Sequence, residues 1–251
     1  VVVGTSGGFG PFATMEPMTR LLILEDDAGL RASLRMVLED EGYEVVEAEN
    51  AEHGLELVGD RGGVDLMLVD LMLRGMDGFS FIQRARPQTE APIVVVSARD
   101  GIEDIVAALE AGADDYVTKP FLVDEVKARL RALLRRPSMA GSRAAQTEVF
   151  VLDAQDGPIV FDRGAAVLSR GDTPIHLTNT EFRLLSALVD HAGLVLDRTA
   201  LLEHVWERGF FGDDRIVDVH VRRLRKKLET DPGSPKILVT VRGLGYRLDT
   251  R

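Results

Sequence analysis

Five polar residues in the first half of the chain stand at the end of, or directly after, short predicted strands, most of which are apolar runs. They are Glu25, Asp26, Asp70, Ser97 and Lys119. Apolar runs of four to six residues are typical of strands that are buried on both faces of a sheet. Parallel strands bring their carboxyl ends to one edge of the sheet, so we expect these five side chains to share one crevice. A lone strand-end aspartate more often caps the next helix, and chemistry at Asp70 therefore depends on these neighbours.

The three carboxylates of this set would repel one another in one crevice, so the site requires either a retained proton or a bound cation. A small set of oxygen ligands favours Mg²⁺, which keeps several of its waters. The Ser97 hydroxyl and the Lys119 ammonium suit a tetrahedral anion attached near the metal. Together these residues predict phosphoryl transfer to a carboxylate, with Asp70 as nucleophile and Lys119 neutralising charge. The alternative is that these five residues share no function and stand at strand ends independently. Their occurrence together disfavours that alternative.

Apolar periodicity predicts five alternating strand and helix segments that position these residues. The predicted strands are residues 21–24, 44–48, 66–69, 92–97 and 115–118, and the predicted helices are residues 28–41, 51–59, 79–85, 102–111 and 122–135. Five such units require a parallel sheet with right-handed crossovers and helices on both faces. The sequence therefore predicts an α/β, flavodoxin-like, doubly wound (βα)5 domain.

Four motifs in this half resemble the receiver domain of two-component response regulators. They are Glu25-Asp26, Asp70 with the following Gly75-Met-Asp-Gly78, Ser97-Ala98, and Gly112-Ala-Asp-Asp-Tyr-Val-Thr-Lys-Pro-Phe121. The resemblance implies that Asp70 accepts phosphate from a sensor histidine kinase. It also implies that Mg²⁺ is held by Glu25, Asp26, Asp70 and the backbone carbonyl of Met72. By the same resemblance, Ser97 and Tyr116 form the switch pair, and the peptide bond between Lys119 and Pro120 is expected to be cis.

The same resemblance implies that phosphorylation pairs two receivers into a homodimer through the fourth helix, fifth strand and fifth helix. The matching charged positions are Asp114, Asp115, Arg129 and Arg136. Ile105 departs from the Lys or Arg of many relatives, so one intersubunit ion pair, to Glu125, is expected to be absent from a dimer that still forms.

Arg74 stands where many relatives carry Pro, and it adds a positive charge near Asp70. We expect its side chain to be solvated, with an altered phosphoryl lifetime or altered kinase docking as the alternative.

Charge and composition predict two domains with different partners. The 251 residues carry a net charge of −11, most of it between residues 20 and 136, and contain no cysteine for disulfides or thiolate metal sites. We divide the chain into a disordered extension (1–19), a receiver (20–136), a flexible linker (137–147) and an effector domain (148–251). No apolar run reaches the length of a membrane span, and residues 1–19 lack a basic start, so we expect a cytoplasmic protein with no membrane partner.

Short strands and then helices are predicted in the second half. Residues 149–152, 159–161, 166–169 and 174–177 are strand candidates separated by turn signals. Thr178 and Glu181 form a capping box that opens a helix. A second, shorter helix spans residues 201–206, and a third runs from 215 to about 229. A hairpin follows at residues 236–241 and 246–248, which makes an α+β winged helix-turn-helix domain.

The third helix has an apolar stripe on one face and a ridge of basic side chains on the other. A charged helix face is most often only solvated, but a basic ridge in the helix-turn-helix order suits the DNA major groove. The segments Thr178-Asn-Thr-Glu-Phe182, Asp214–Leu228 and Thr240–Arg247 closely resemble the effector domain of OmpR/PhoB-type regulators. That resemblance implies DNA contacts from Arg215, His220, Arg222, Arg223, Arg225, Thr240 and Arg242. It also implies that the loop 207–213 contacts RNA polymerase. Alternatively, Phe210 and Phe211 of this loop could be buried against the sheet.

These expectations combine into a transcriptional response regulator that is phosphorylated on Asp70, dimerises and binds tandem promoter half-sites on double-stranded DNA. One alternative is a DNA-binding protein whose receiver serves only as a dimerisation module. A second is a phosphatase with an Asp nucleophile, which Met72 disfavours because such enzymes resemble a pattern with Asp at that position. We expect no enzyme activity beyond slow self-hydrolysis of the aspartyl phosphate.

Overall fold

The structure is a computed structural model that describes residues 18–60, 63–134, 148–155, 157–206 and 214–251. Several predicted segments lie outside the described residues. They are most of the N-terminal extension, Arg136, the linker 137–147 and the loop 207–213. Phe210 and Phe211 belong to that loop, so the two alternatives for it stay open. Among the described helices, none is both long and apolar enough to cross a bilayer.

The amino-terminal domain is built on a five-stranded parallel sheet with the order β2-β1-β3-β4-β5. Its strands are β1 (Arg20–Leu24), β2 (Glu44–Ala48), β3 (Leu66–Val69), β4 (Ile93–Ser97) and β5 (Asp115–Thr118). Every residue of β3 and of β4 is buried, which explains why these strands appear in the sequence as unbroken apolar runs. This sheet confirms the predicted fold class.

Five helices connect these strands and cover both faces of the sheet. They are α1 (Ala28–Asp40), α2 (Ala51–Gly59), α3 (Gly78–Ala85), α4 (Ile102–Ala111) and α5 (Val123–Leu134). Side chains at three helix starts accept a hydrogen bond from a backbone N–H in the first turn: Asp27 from Leu30, Asn50 from His53 and Asp77 from Ser80. One buried apolar cluster lies on each face of the sheet, and one of the two continues into the carboxy-terminal domain.

The carboxy-terminal domain places three helices between two antiparallel sheets. Strands β6 (Val149–Asp153), β7 (Ile159–Asp162), β8 (Val167–Arg170) and β9 (Thr173–Ile175) form the first sheet in sequence order. The helices are α6 (Asn179–Asp190), α7 (Arg198–Val205) and α8 (Arg215–Leu228). The second sheet has the order β10-β12-β11, with β10 (Val195–Leu196), β11 (Leu238–Val241) and β12 (Gly245–Leu248).

Several strand bounds of this domain are shifted by one or two residues from the sequence prediction, and the largest differences concern α7 and β10. Helix α7 begins at Arg198, three residues before the predicted start, because the Asp197 side chain accepts a hydrogen bond from the N–H of Ala200. The two-residue strand β10 was not predicted, since a segment this short has no periodicity and is defined only by its pairing with β12. The pairing of β10, β12 and β11 gives the hairpin a third strand.

Gly245 makes the contact between β12 and β10 possible. A Cβ atom at this position would lie 2.1 Å from the carbonyl oxygen of Leu196, and the φ angle of +144° disfavours other residues. A Gly245→Ala substitution is therefore expected to lower the free energy of unfolding of this domain by about 2 kcal/mol or more. Urea denaturation followed by the fluorescence of Trp206, the single tryptophan of the chain, measures the change. Gly164→Ala is the matched control, because its Cβ would only reach ordinary contact with Asp162. Equal stability of the two variants would contradict this account.

Candidate functional site

Three carboxylates meet at the carboxyl edge of the parallel sheet. Oxygen atoms of Glu25, Asp26 and Asp70 all lie within 4.8 Å of one another. Glu25 and Asp70 are brought together because β1 and β3 are neighbours, and the Asp70 N–H donates to the Leu24 carbonyl at 2.9 Å. Glu25 and Asp70 are buried, whereas Asp26 is partly exposed. The three acids that the sequence indicated therefore form one cluster.

Lys119, which follows β5, bridges two of these acids. Its Nζ lies 2.7 Å from Oε2 of Glu25 and 2.7 Å from Oδ2 of Asp70. Burial raises the pKa of Glu25 above its ordinary value, although hydrogen bonding to Lys119 opposes the effect. Burial alone would lower the pKa of Lys119, but its hydrogen bonds to the two acids outweigh burial and raise that pKa. The ammonium is thus held protonated beside the candidate nucleophile.

The loop after Asp70 fixes the carboxylate in place. Its Oδ1 accepts a hydrogen bond from the Met72 N–H at 2.9 Å, and the Gly78 N–H donates to the Leu71 carbonyl at 3.1 Å. A Cβ at Gly78 would lie 2.2 Å from the Asp70 carbonyl oxygen, so only glycine allows α3 to start this close to the nucleophile. The Lys119–Pro120 peptide bond is cis, as the family resemblance implied.

The donor set fits a hydrated Mg²⁺ ion. All three side-chain ligands are carboxylates, and Lys119 supplies one positive charge against their three negative charges, which leaves the charge of one divalent cation to be balanced. Octahedral Mg²⁺ holds its oxygens at about 2.0–2.1 Å, so opposite ligands stand about 4 Å apart, close to the span of this cluster. Glu25, Asp26 and Asp70, with the Met72 carbonyl, are the residues that would hold it.

Ser97 and Tyr116 both contact the loop that leads from β4 into α4. The Ser97 side chain is fully buried, and its Oγ accepts a hydrogen bond from the Arg99 N–H at 3.4 Å. The Tyr116 hydroxyl donates to the Arg99 carbonyl at 2.6 Å, and burial raises the pKa of Tyr116 to about 12. The Arg99 guanidinium pairs with Asp104 in the first turn of α4 at 2.9 Å. The two switch candidates are therefore connected to α4 through one residue.

Helix α8 is oriented within the second domain by its apolar stripe and by two polar anchors. Val217, Val221, Leu224 and Leu228 are all buried, as the helical spacing predicted. Arg225 donates to the Leu238 carbonyl at 2.8 Å and to Thr240 Oγ1 at 2.7 Å, which attaches the hairpin to the helix. Tyr246 donates to Asp218 Oδ1 at 2.6 Å. These hydrogen bonds hold the β11–β12 hairpin against α8.

The seven candidate DNA contacts do not share one exposed face. Arg215 and Arg242 are exposed, and the Arg222 side chain is 65 % exposed. Arg225 and Thr240 bond to each other. Arg223 is mostly covered, and His220 is completely buried against the first domain.

Comparison with known proteins agrees with both halves of this geometry. Residues 21–131 match the family model described as "Response regulator receiver domain", and residues 172–248 match "Transcriptional regulatory protein, C terminal". The sensory transduction protein RegX3 of Mycolicibacterium smegmatis is 43% identical over 92% of this chain and 100% of its own length. The chain belongs to the OmpR/PhoB-type two-component response regulators.

Two further similarities extend along nearly the whole response regulator. The KDP operon transcriptional regulatory protein KdpE of Escherichia coli is 41% identical over 92% of this chain and 99% of its own length. The solved structure of a RitR mutant has a TM-score of 0.68 at 27% identity, covering 93% of this chain and 100% of that chain. The response regulator thus pairs a receiver with a DNA-binding domain, and its homologues are transcriptional regulators. The alternative of a regulator that is independent of phosphorylation is not favoured.

Three of the four residues expected at a receiver dimer interface are described by the structure, and each of these three is paired within the response regulator itself. Asp115 is fully buried and accepts two hydrogen bonds from Arg129, at 2.9 and 3.0 Å, while Arg129 also contacts Glu125. Asp114 accepts hydrogen bonds from Arg86 at 2.7 Å and from the Ile93 N–H at 3.0 Å. Ile105 is partly buried against the apolar core. Their role in dimerisation stays a prediction.

Several residues that contribute to these sites were not identified from the sequence. Glu181 was assigned only to the capping box, yet it is fully buried and contacts Lys227 at 2.6 Å and Arg223 at 3.2 Å. Its position in the capping box was the one signal that it had a partner. Glu110 of α4, which pairs with Arg222 of α8, carried no signal, because 112 residues separate the two.

Arg74 directs its charge toward a candidate metal ligand. Its Nε lies 3.3 Å from Oδ2 of Asp26, while its side chain is 93 % exposed, as expected for a solvated group. Because the guanidinium competes with a cation at Asp26, Arg74→Ala is expected to raise the affinity for Mg²⁺, by at most about fivefold for an exposed pair. Calorimetric titration of the full chain with Mg²⁺ measures this. Arg35→Ala, which removes the same charge from α1, should leave the affinity unchanged, and an equal rise in both variants would exclude a local effect.

His220 should make the folded protein sensitive to mild acid. Burial lowers its pKa to about 4, with Arg223 adding to the effect and Asp114 and Glu181 opposing it, whereas an unfolded histidine titrates near 6.5. Stability is therefore fully present above about pH 6.5 and is lost as the pH falls toward 4, by about 1 kcal/mol at pH 5.5. Urea denaturation at pH 7.5 and 5.5 measures this loss, which should be smaller in His220→Gln because glutamine does not titrate. Equal losses in the two proteins would show that His220 does not contribute.

Proposed function

We propose that Asp70 accepts a phosphoryl group from a sensor histidine kinase in the presence of Mg²⁺. The aspartyl phosphate favours pairing of two receivers, which places two effector domains on tandem DNA half-sites and controls transcription. The observation that carries the proposal is the contact of Lys119 Nζ with Asp70 at 2.7 Å inside a cluster of three carboxylates. The linker 137–147 would join the receiver (20–136), which takes the phosphoryl group, to the effector domain (148–251), which binds DNA.

The transfer itself requires little of the protein beyond position and charge. A carboxylate oxygen of Asp70 attacks the phosphorus atom, an O–P bond forms, and the P–N bond to the kinase histidine breaks. The electron pair of that bond stays on the imidazole nitrogen, which takes a proton from solvent. Lys119 supports the charge on the phosphoryl oxygens, and Ser97 Oγ offers a hydrogen bond to one of them. Bound Mg²⁺, held by Glu25, Asp26, Asp70 and the Met72 carbonyl, would neutralise further charge on those oxygens.

Return to the unphosphorylated state is proposed to be slow hydrolysis. The residue two positions after the nucleophile is Met72, whose thioether can neither give nor take a proton, and its side chain is exposed. A water that attacks the aspartyl phosphate therefore finds no general base at this position. The output of the chain is accordingly DNA binding rather than substrate turnover.

Contact with DNA is proposed through α8 and the hairpin of β11 and β12. The residues assigned to it are Arg215, His220, Arg222, Arg223, Arg225, Thr240 and Arg242. Most of them suit phosphate oxygens, and Arg222 and Arg223 are the candidates for base edges. Residues 207–213 are the proposed contact with RNA polymerase. Promoter DNA and RNA polymerase both lie in the bacterial cytoplasm, so the proposed function requires a cytoplasmic protein.

Replacement of the nucleophile tests the proposal directly. Asp70→Asn is expected to abolish incorporation of phosphate from acetyl phosphate and Mg²⁺, measured by intact-protein mass spectrometry, because an amide is not a nucleophile. It should also abolish any increase in DNA affinity that the phosphodonor causes in the wild type. Asp100→Asn, an exposed aspartate in the loop after β4, is the control and should incorporate phosphate like the wild type. Incorporation by Asp70→Asn would overturn the assignment.

A further inference from the structure

Two histidine rings meet at the surface of the effector domain, and neither residue has been assigned to phosphoryl transfer or to DNA. His191 directly follows the last residue of α6, and His204 lies in the last turn of α7. Their ring centres are 5.0 Å apart, and the ring planes are inclined to each other by 48°. His204 is exposed and His191 is partly exposed, so an ion in solution can reach both rings.

The hydrogen bond of His191 determines which of its ring nitrogens can bind an ion. Nδ1 lies 2.9 Å from the Ala187 carbonyl oxygen. A carbonyl oxygen can only accept a hydrogen bond, so Nδ1 carries the proton and Nε2 carries the lone pair of the neutral ring. Histidines that ligate metals commonly donate their second ring nitrogen to a carbonyl in this way, which fixes the tautomer and the orientation of the ring. His191 thus has the hydrogen-bonding pattern of a metal ligand.

The separation of the two rings fits one tetrahedral ion between them. Zn²⁺ holds imidazole nitrogens at about 2.0–2.1 Å and each nitrogen lies about 1.2 Å from its ring centre, so a tetrahedral ion separates two ring centres by about 5 Å. The observed separation of 5.0 Å agrees with this value. Imidazole suits Zn²⁺, Cu²⁺ and Ni²⁺, whereas Mg²⁺ prefers oxygen ligands, and of these ions Zn²⁺ is the one that favours a tetrahedron.

We propose that His191 and His204 form a second metal site, which binds Zn²⁺ through two imidazole nitrogens. Within the part of the chain that the structure describes, a cluster of three or more potential metal-binding side chains occurs only at Glu25, Asp26 and Asp70. The effector domain therefore supplies two ligands, and water fills the other positions of the tetrahedron. The site differs from the receiver cluster in its ligands and in the ion that it prefers, and it does not rest on phosphorylation of Asp70.

Both histidines stand on backbone that is already fixed. After His191, the Leu194 N–H donates to the His191 carbonyl and the Gly193 N–H donates to the Leu248 carbonyl, each at 2.9 Å. His204 belongs to α7, whose first turn is capped by Asp197. Ligands on rigid elements bind with a smaller loss of conformational freedom than ligands on loose ones. Zn²⁺ would cross-link the end of α6 to the end of α7 and so stabilise the folded effector domain.

Calorimetric titration of the full chain with ZnCl₂ tests this site. Excess Mg²⁺ is present throughout, so that the carboxylate cluster of the receiver is occupied. His191→Gln and His204→Gln should each weaken Zn²⁺ binding at least about tenfold, because either change removes one of the two ligands. His53→Gln and His176→Gln, which remove exposed histidines elsewhere, should leave the affinity unchanged. Unchanged affinity in both site variants would overturn the proposal, as would an equal loss in the two controls.

The double variant of His191→Gln and His204→Gln distinguishes one shared ion from two separate ones. Its loss of Zn²⁺ affinity should be smaller than the product of the two single losses, because either single substitution already breaks the chelate. A loss equal to that product would show that the two histidines act independently and would contradict a shared site.

Stability provides a readout that does not depend on the heat of binding. Zn²⁺ at a hundredfold excess over its Kd should lower the equilibrium constant for unfolding of the effector domain about hundredfold. Urea denaturation followed by Trp206 fluorescence measures this in the wild type and in His53→Gln. The effect should be lost in His191→Gln and in His204→Gln, and full stabilisation of these two variants would refute the site. Cooperative unfolding without Zn²⁺ verifies that all variants are folded.

Histidine-ring NMR of the wild type tests the site without any substitution. In long-range ¹H–¹⁵N spectra, Zn²⁺ should shift the Nε2 resonance of His191 and a ring-nitrogen resonance of His204, while Nδ1 of His191 stays protonated. The rings of His53 and His176 should be unaffected. Shifts confined to those two rings, or the absence of any shift at His191 and His204, would overturn the proposal.

Discussion

The contact of one lysine with two carboxylates is the interaction on which the input domain depends. Glu25 and Asp70 are buried side by side at the end of a parallel sheet, where mutual repulsion would favour protonation of one of them. Lys119 reaches both acids from the far side of β4 and keeps a nucleophilic carboxylate available. The strand order β2-β1-β3-β4-β5 is what brings together residues 94 and 49 positions apart in the chain. The three carboxylates and one lysine leave two negative charges at this edge of the sheet, and that charge favours a divalent cation.

Much of the fold and of the candidate phosphoacceptor site could be predicted because each signal was local. Strand β3 is buried along its whole length, so its apolar run marks both the strand and the position of Asp70 at its end. The apolar stripe of α8 could also be predicted from the sequence, because helical spacing alone determines which side chains can face a core. Strand β10 could not be found, because two residues have no period and depend entirely on β12.

The environment of His220 was the largest departure from what sequence reasoning could supply. Its position on α8 indicates a flank of the basic ridge, and that assignment treats the effector domain by itself. Burial of the ring depends instead on Asp114, which lies 106 residues away in the other domain. Helical periodicity describes how a segment contacts its own core and contains no information about a second surface that another domain covers. Arg222 and its partner Glu110 illustrate the same limit.

The uneven charge of the chain is matched by the contacts between α8 and the receiver. A ridge of bases on α8 has an electrostatic cost when no DNA is present, and an acidic receiver reduces that cost through Glu110 and the carbonyls of Ala113 and Asp114. The Arg222–Glu110 pair is partly exposed, so it is weak and screened by salt. DNA carries a much denser array of negative charge than the receiver. The contact of the receiver with α8 therefore depends more on geometry, through the burial of His220 and the binding of Arg223, than on charge alone.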